Sequence, residues 1–244
     1  MASAWARRAK AKHPDKQVFV GKGRPEWSVV WENNPNINKP DEFHKTGQEI
    51  WVENCTGFRP YIKKVTATNI IYNEDHKAER GDIFLTEAEI EPFKQYAGCV
   101  IIEPHVKGSF SGNKAWVWDR WQTVANAIPC IQINERTKQG LRNAQRVHTG
   151  DFRQALAMLS QARLVVTTDG ALHHAAAALG KPAVVLWGAR THPKVLGYES
   201  HTNLYTGEGE SCGSMAYCQH CVDAMKRITP EMVIEACRSI LEKG

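Results

Sequence analysis

Asp169-Gly170, followed closely by His173 and His174, is the grouping whose residue types and spacing point most directly to chemistry. The pair ends an apolar run and opens an alanine-rich one, so it places a carboxylate and bare backbone N–H groups at the start of a helix. On the carboxyl edge of a parallel sheet, that arrangement suits a phosphate-bearing ligand. The plainer alternative is an ordinary strand–helix–strand unit in which Asp169 only caps the helix. His173 and His174 divide the same way, into ligand-facing groups or satisfied structural histidines. A second grouping lies in CGSMAYCQHC, where Cys212, Cys218, His220 and Cys221 fall in a C-x5-C-x2-C pattern with a histidine inside it. That spacing is compatible with zinc. A C-x2-C pair alone does not demand an ion, and the expectation is a structural segment without metal.

The elements that must hold Asp169 are legible around it. Leu164, Val165 and Val166 read as a buried strand. Residues 171–179 read as a helix, alanine being the best helix former. Gly180, Lys181 and Pro182 stop it, and residues 183–187 form a second strand closed by Gly188. A connection of this length permits a right-handed crossover, so the two strands are expected to be parallel. Further strands are expected at 100–102, 129–133 and 145–148, with helices at 119–127, 152–161 and 230–241. Thr229 caps the last of these and Pro230 opens it. This alternation argues for a doubly wound parallel α/β sheet. The earlier part reads as a smaller, irregular α/β unit. It has a basic helix at 2–12, strands at 17–20, 28–31, 49–53, 69–72 and 82–85, and a helix at 87–96. The expected division is residues 1–97 and 98–244.

Composition bounds the function without selecting it. Of the 244 residues, 42% are hydrophobic and 23% charged, ordinary values for a globular protein. No apolar run approaches the ~20 residues that span a bilayer. The basic start is not followed by the apolar segment of a secretory signal. It reads as a solvated helix face, with a peripheral membrane or nucleic-acid contact as the alternative. The net charge of +5 fits anionic ligands of several kinds. Seven cysteines without an export signal point to reduced thiols and a cytoplasmic location.

Asp169, His174, Leu179, Gly180, Pro182 and Gly188 stand in an order that resembles the signature of glycosyltransferase family 9, the ADP-heptose:lipopolysaccharide heptosyltransferases and their relatives. The family's Asp-(Ser/Thr)-Gly is Asp169-Gly170-Ala171 here, with the glycine displaced by one position and His173 as an extra histidine. The resemblance covers most of residues 99–241. It implies a fold of two Rossmann-like domains (GT-B), with the acceptor on the N-terminal unit, the nucleotide sugar on the C-terminal one, and chemistry between them. It also implies donor-site roles for Lys114, Asp169, Gly170, His174, Gly188, Thr191 and Glu135. Lys114 matches the family's lysine before Trp-Pro, although Val117 stands where the proline would be, and its implied role is phosphate binding. Ser109, Ser111 and Asn113 would add neutral donors, and Arg190 and His192 would approach phosphate and sugar. Trp116, Trp118 and Trp121 are expected to pack rather than to stack on a base. No Asp-x-Asp metal motif is present, so cation duty falls to lysine, arginine and helix N-termini. No cofactor is expected.

The activity implied is transfer of a sugar from a nucleotide-diphospho-sugar to an acceptor hydroxyl, with inversion, of heptosyltransferase type. The alternatives are a nucleotide-sugar-binding protein without transfer, and an epimerase or hydrolase on the same fold. The acceptor class is a glycan or lipopolysaccharide core, with a hydroxyl on a modified DNA base as a further option. Family members open with a strand and a Gly-Asp turn whose aspartate is a candidate base. This sequence opens Met1-Ala2-Ser3-Ala4-Trp5-Ala6, which resembles the helix after that turn. The N-terminal unit is therefore expected to lack its first strand, and no catalytic base is named.

Overall fold

The computed structural model describes residues 1–54, 59–106, 112–133 and 139–243. Helix α1 (Ala2–Lys12) buries its small residues Ala2, Ser3, Ala4 and Ala6, and carries Lys10 and Lys12 in its last turn, where they complement the helix dipole. Small side chains let it lie close to β1 (Val18–Val20), which pairs in parallel with β2 (Ile50–Val52). Val18, Val20, Trp31, Ile37 and Val52 complete that core with Ala2 and Ala6. Residues 28–31 do not form the expected strand. Val29–Trp31 is a 3-10 turn that drops the Trp31 ring against Trp27, the centroids 6.2 Å apart. The φ of +61° at Asn33 then turns the chain away before any ladder can form.

An antiparallel hairpin follows, β3 (Ile62–Val65) with β4 (Ile70–Tyr72). Its first strand carries Lys63-Lys64 in the middle and shows no apolar alternation that sequence reading could catch. Residues 82–85, expected as a strand, are extended but unpaired. Side chains satisfy that backbone instead: Ser3 Oγ accepts from Asp82 N at 3.0 Å, and Arg153 Nη2 donates to the Phe84 carbonyl at 2.8 Å. Thr86 and Glu89 form a capping box on α2 (Glu87–Ile90). Pro92 has no N–H to continue the helix, and the chain tightens into a 3-10 segment, Glu91–Tyr96.

The remainder is a doubly wound sheet. In chain order its elements are β5 (Cys99–Glu103), α3 (Trp118–Ala127), β6 (Cys130–Ile133), β7 (Ala144–Val147), α4 (Phe152–Ser160), β8 (Ala162–Thr168), α5 (Ala171–Ala178), β9 (Ala183–Trp187), α6 (Pro193–Leu196), β10 (Thr202–Tyr205), α7 (Gln219–Arg227) and α8 (Pro230–Leu241). The strand order is β10-β9-β8-β5-β6-β7, with every neighbour pair parallel. Residues of one parity, Ile101, Val165, Val185 and Trp187, pack under α4 and α5. Those of the other, Val100, Ile102, Leu164, Val166 and Leu186, pack under α3, α7 and α8. A sheet covered on both faces explains strands that read as near-continuous apolar runs. Trp121 is wholly buried and meets Trp116 edge-on at 4.9 Å, and Trp116 Nε1 donates to the Ile228 carbonyl at 3.0 Å. These tryptophans are packing residues, as expected.

Among the described residues no helix is long and apolar enough to cross a membrane.

Candidate donor site

The chain winds outward from β5 through β6 to β7, then returns to place β8 on the other side of β5. The carboxyl ends of β5 and β8 are thus the topological switch point, where doubly wound sheets form their ligand crevice. The loop after β5 ends in the turn Gly112–Lys114, and β8 runs directly into Asp169. Fifty-five residues apart in sequence, Lys114 and Asp169 form an ion pair there, the side chains 16% and 4% exposed. Burial opposes ionisation of Asp169, but the Lys114 ammonium and the nearby imidazoles outweigh it and hold the carboxyl at about 2.

Asp169 is therefore not a helix cap. The cap of α5 is supplied by His173, whose Nδ1 accepts from Gly170 N–H at 3.1 Å. That bond fixes the tautomer: Nε2 carries the proton and donates to the Leu196 carbonyl at 3.3 Å. His173 is fully buried, and desolvation lowers its pKa, so it is a neutral structural brace for the turn. The Nδ1 of His173 lies 3.7 Å from the Asp169 carboxylate, beyond a hydrogen bond. Asp169, His173 and His174 bring potential ligand atoms within 4.8 Å of one another. The Lys114 ammonium already occupies the carboxylate, so the cation of this site is the lysine.

His174 points elsewhere. Its Nδ1 meets the Tyr198 hydroxyl at 2.9 Å, and both side chains line a cavity of ≈ 380 Å³ together with Ser3, Tyr61, His76 and Ala171. The volume is within the usual range for small-molecule sites, roughly 300–1,000 Å³. Desolvation lowers the His174 pKa to about 3 and pushes Tyr198 up to about 12, so an uncharged pair faces the cavity at neutral pH.

Gly188 closes β9 beside the lysine turn. A Cβ there would lie 2.6 Å from the Asn113 carbonyl oxygen, so this glycine is what lets the backbone preceding Lys114 approach the sheet. Gly170 is different: its φ is −175°, and a Cβ would meet nothing closer than the Thr168 carbonyl at 3.8 Å. Nothing in the fold demands glycine at that position. Thr191 reaches the same edge but is 1% exposed, and its hydroxyl donates to Tyr72 at 2.9 Å. Arg190 Nε donates to the Ser214 carbonyl at 3.1 Å, and His192 caps α6 by accepting from Lys194 N–H at 3.0 Å. Asn113 is buried; its amide donates to Ala216 O at 2.7 Å and accepts from Cys218 N–H at 2.9 Å. Glu135, Ser109 and Ser111, also expected here, lie outside the described residues.

Tyr61, Tyr72 and Tyr198 were not anticipated. Tyr61 and Tyr198 stand in segments without a periodic signal, Tyr72 ends the strand expected at 69–72, and only the tertiary fold carries the β3–β4 hairpin over the switch point. There Asn69 Nδ2 donates to the Cys212 carbonyl at 2.9 Å.

Residues 106–230 match the model of glycosyltransferase family 9 (heptosyltransferase). No curated protein matches the chain. Among solved structures, the family 9 glycosyl transferase from Veillonella parvula DSM 2008 is similar at 13% identity and a TM-score of 0.65, over 100% of this chain and 93% of that one. The dodecameric iron-containing heptosyltransferase TibC, of enterotoxigenic E. coli H10407, in complex with ADP-D-β-D-heptose, aligns at 12% identity and a TM-score of 0.65, over 98% of this chain and 72% of that one. The E. coli ADP-heptose lps heptosyltransferase II aligns at 17% identity and a TM-score of 0.50, over 67% of this chain and 54% of its own length. At these identities the likeness is one of fold, in the GT-B class.

Proposed function

The chain belongs to glycosyltransferase family 9, and from that premise we propose that it moves a sugar from a nucleotide-diphospho-sugar to an acceptor hydroxyl with inversion at the anomeric carbon. The observation that carries this reading is the buried Lys114–Asp169 pair at the switch point of the sheet. Such a transfer leaves a nucleotide diphosphate on which negative charge develops as the glycosidic bond breaks. A fixed ammonium in a partly dry site stabilises that charge at little reorganisation cost. Asp169 holds the Lys114 side chain in place through their ion pair. The N-terminus of α5 adds its dipole, and the His173 brace holds the turn that presents it. Gly170, bare where the fold has room for a side chain, leaves space for the phosphates.

The donor is proposed to be an ADP-heptose-type nucleotide sugar and the acceptor a glycan hydroxyl, such as a lipopolysaccharide core sugar. The cavity beside His174 and Tyr198 is the proposed place where sugar and acceptor meet. Its carboxylates are Glu79 and Asp82, which are held by Arg7 and Arg8, and neither is assigned as the base. The donor is itself the substrate, and the reading includes no catalytic cofactor. A cytoplasmic location belongs to the same reading, supported by free thiols at Cys99, Cys130, Cys212, Cys218, Cys221 and Cys237.

Calorimetric titration with ADP, UDP and GDP tests the donor site. Selective binding of one diphosphate, weakened in Lys114→Ala, is expected; no binding of any of the three would overturn it. Transfer is then assayed with the sugar of the nucleotide that binds. Strongly salt-dependent binding of duplex DNA would shift the acceptor from glycan to modified DNA.

A further inference from the structure

We propose that Cys212, Cys218, His220 and Cys221 form a tetrahedral site for one thiophilic divalent cation, zinc or ferrous iron, which cross-links helix α7 to the loop that precedes it. One potential ligand atom from each of the four residues lies within 4.8 Å of the others. The Cys212 and Cys218 sulfurs are 3.6 Å apart. A tetrahedron with metal–sulfur bonds of about 2.3 Å has sulfur–sulfur edges of about 3.8 Å, so these two sulfurs already stand near coordination spacing. Three thiols and an imidazole converging on one point form a donor set that selects zinc or iron over magnesium or calcium.

Local structure explains how the sequence assembles it. Cys218 is the N-cap of α7, and His220 and Cys221 fall in its first turn, so three of the four donors come from one helix start. The fourth is delivered from a distance. Cys212 is held by its N–H to the Ala189 carbonyl at 2.9 Å, while its own carbonyl accepts from Asn69. Cys221 is fully buried beside Ala189 and Ala224, and His220 is exposed, so the site has a closed apolar side and an open side for entry.

The consequence reaches the donor site. The segment bridged by the ion is the one that Asn113 clamps, and Asn113 directly precedes Lys114. The same segment binds the hairpin, through Ile70 N–H to Gly213 O at 2.8 Å and Met215 N–H to Thr68 O at 2.9 Å. One cation would therefore fix both the lysine turn and the hairpin above it.

The test is metal analysis of the whole chain, purified under reducing conditions with any histidine tag removed, followed by titration of the stripped protein with Co(II). About one zinc or iron per chain is expected, and the element found decides between the two. Cobalt should give thiolate charge-transfer absorption with the intense d–d bands of a tetrahedral site. His220 is exposed, so His220→Ala should stay folded while losing cobalt affinity by an order of magnitude or more; Cys218→Ser should abolish the charge-transfer bands. Stripping the metal should lower the melting temperature of the wild type and leave that of Cys218→Ser unmoved. Only trace metal together with no charge-transfer band would overturn the proposal, as would a Cys212–Cys218 disulfide in the reduced preparation.

Discussion

At the scale of single residues, the paired charges at the switch point make opposite demands on binding and stability. Lys114→Ala should weaken nucleotide-diphosphate binding roughly 10- to 100-fold, the worth of a charged hydrogen bond of ~1.5–3 kcal/mol. It should also destabilise the fold, because Asp169 is left buried without its counter-charge. The double variant Lys114→Ala/Asp169→Ala should recover stability in a denaturant melt without recovering binding in calorimetry, which separates the two roles. Acid sensitivity follows from the same site. The folded pKa of Asp169, about 2, is below its ordinary 3.8, so its contribution is full above 3.8 and is lost as pH falls through 2. That of His174, about 3, is below 6.5, so the folded state resists its protonation and stability falls steadily from pH 6.5 towards 3. Mild acid destabilisation is therefore a histidine effect. His174→Asn should flatten the melting temperature over that window, and an unchanged slope would assign the effect to other groups.

At the scale of elements, two glycines with similar sequence neighbourhoods have different jobs. Gly188→Ala would drive a methyl to 2.6 Å from the Asn113 carbonyl, so β9 and the lysine turn must separate. A loss of ~1–3 kcal/mol is expected, as for other overpacked sites, with weaker diphosphate binding alongside. Gly170→Ala meets nothing closer than 3.8 Å and should melt like the wild type. If the phosphates occupy that space, it should nevertheless bind the diphosphate more weakly; an unaltered affinity would place them elsewhere. The strands and helices of the sheet were legible because each carries its own period, cap or stop: Asp151 caps α4 and Thr229 caps α8 by accepting from Gln154 and Met232 N–H. The turn at Val29–Trp31 and the unpaired segment 82–85 were not, because their apolar residues satisfy side-chain packing while their backbone bonds go to turns and to distant side chains. Strand β10 became visible only in the fold, because its mixed polar and apolar residues are regular only beside β9; helix α7 does carry a local signal, Cys221, Ala224 and Met225 standing at helical spacing on its buried side.

At the scale of the molecule, Arg153 is among the side chains that join the N-terminal segments to the sheet. Arg153, on α4, donates to both oxygens of Glu89, to the Phe84 carbonyl and to the Val29 carbonyl, with its side chain only 13% exposed. Arg153→Ala removes these bonds together and should cost roughly 1.5–3 kcal/mol or more, since several are charge-assisted. The expected signature is early cleavage within residues 76–98 by a trace of protease while the sheet core resists. Uniform cleavage kinetics in wild type and variant would show that other contacts carry the junction. The cavity beside His174 depends on that junction, because Ser3 and His76 line it from the N-terminal side.

The sequence by itself determined the parallel α/β half and the Asp169–Gly170 turn, because strand runs and helix stops are local properties of the chain; the candidacy of Lys114 came from the family resemblance. It left open whether Asp169 only caps a helix or belongs to a ligand site. It could not reveal the brace made by His173, the pairing of Thr191 with Tyr72, or the convergence of Cys212 on the start of α7. Those were decided only in three dimensions. The winding reverses between β5 and β8, and that reversal brings Lys114 to Asp169, a separation in sequence that carries no periodic signal.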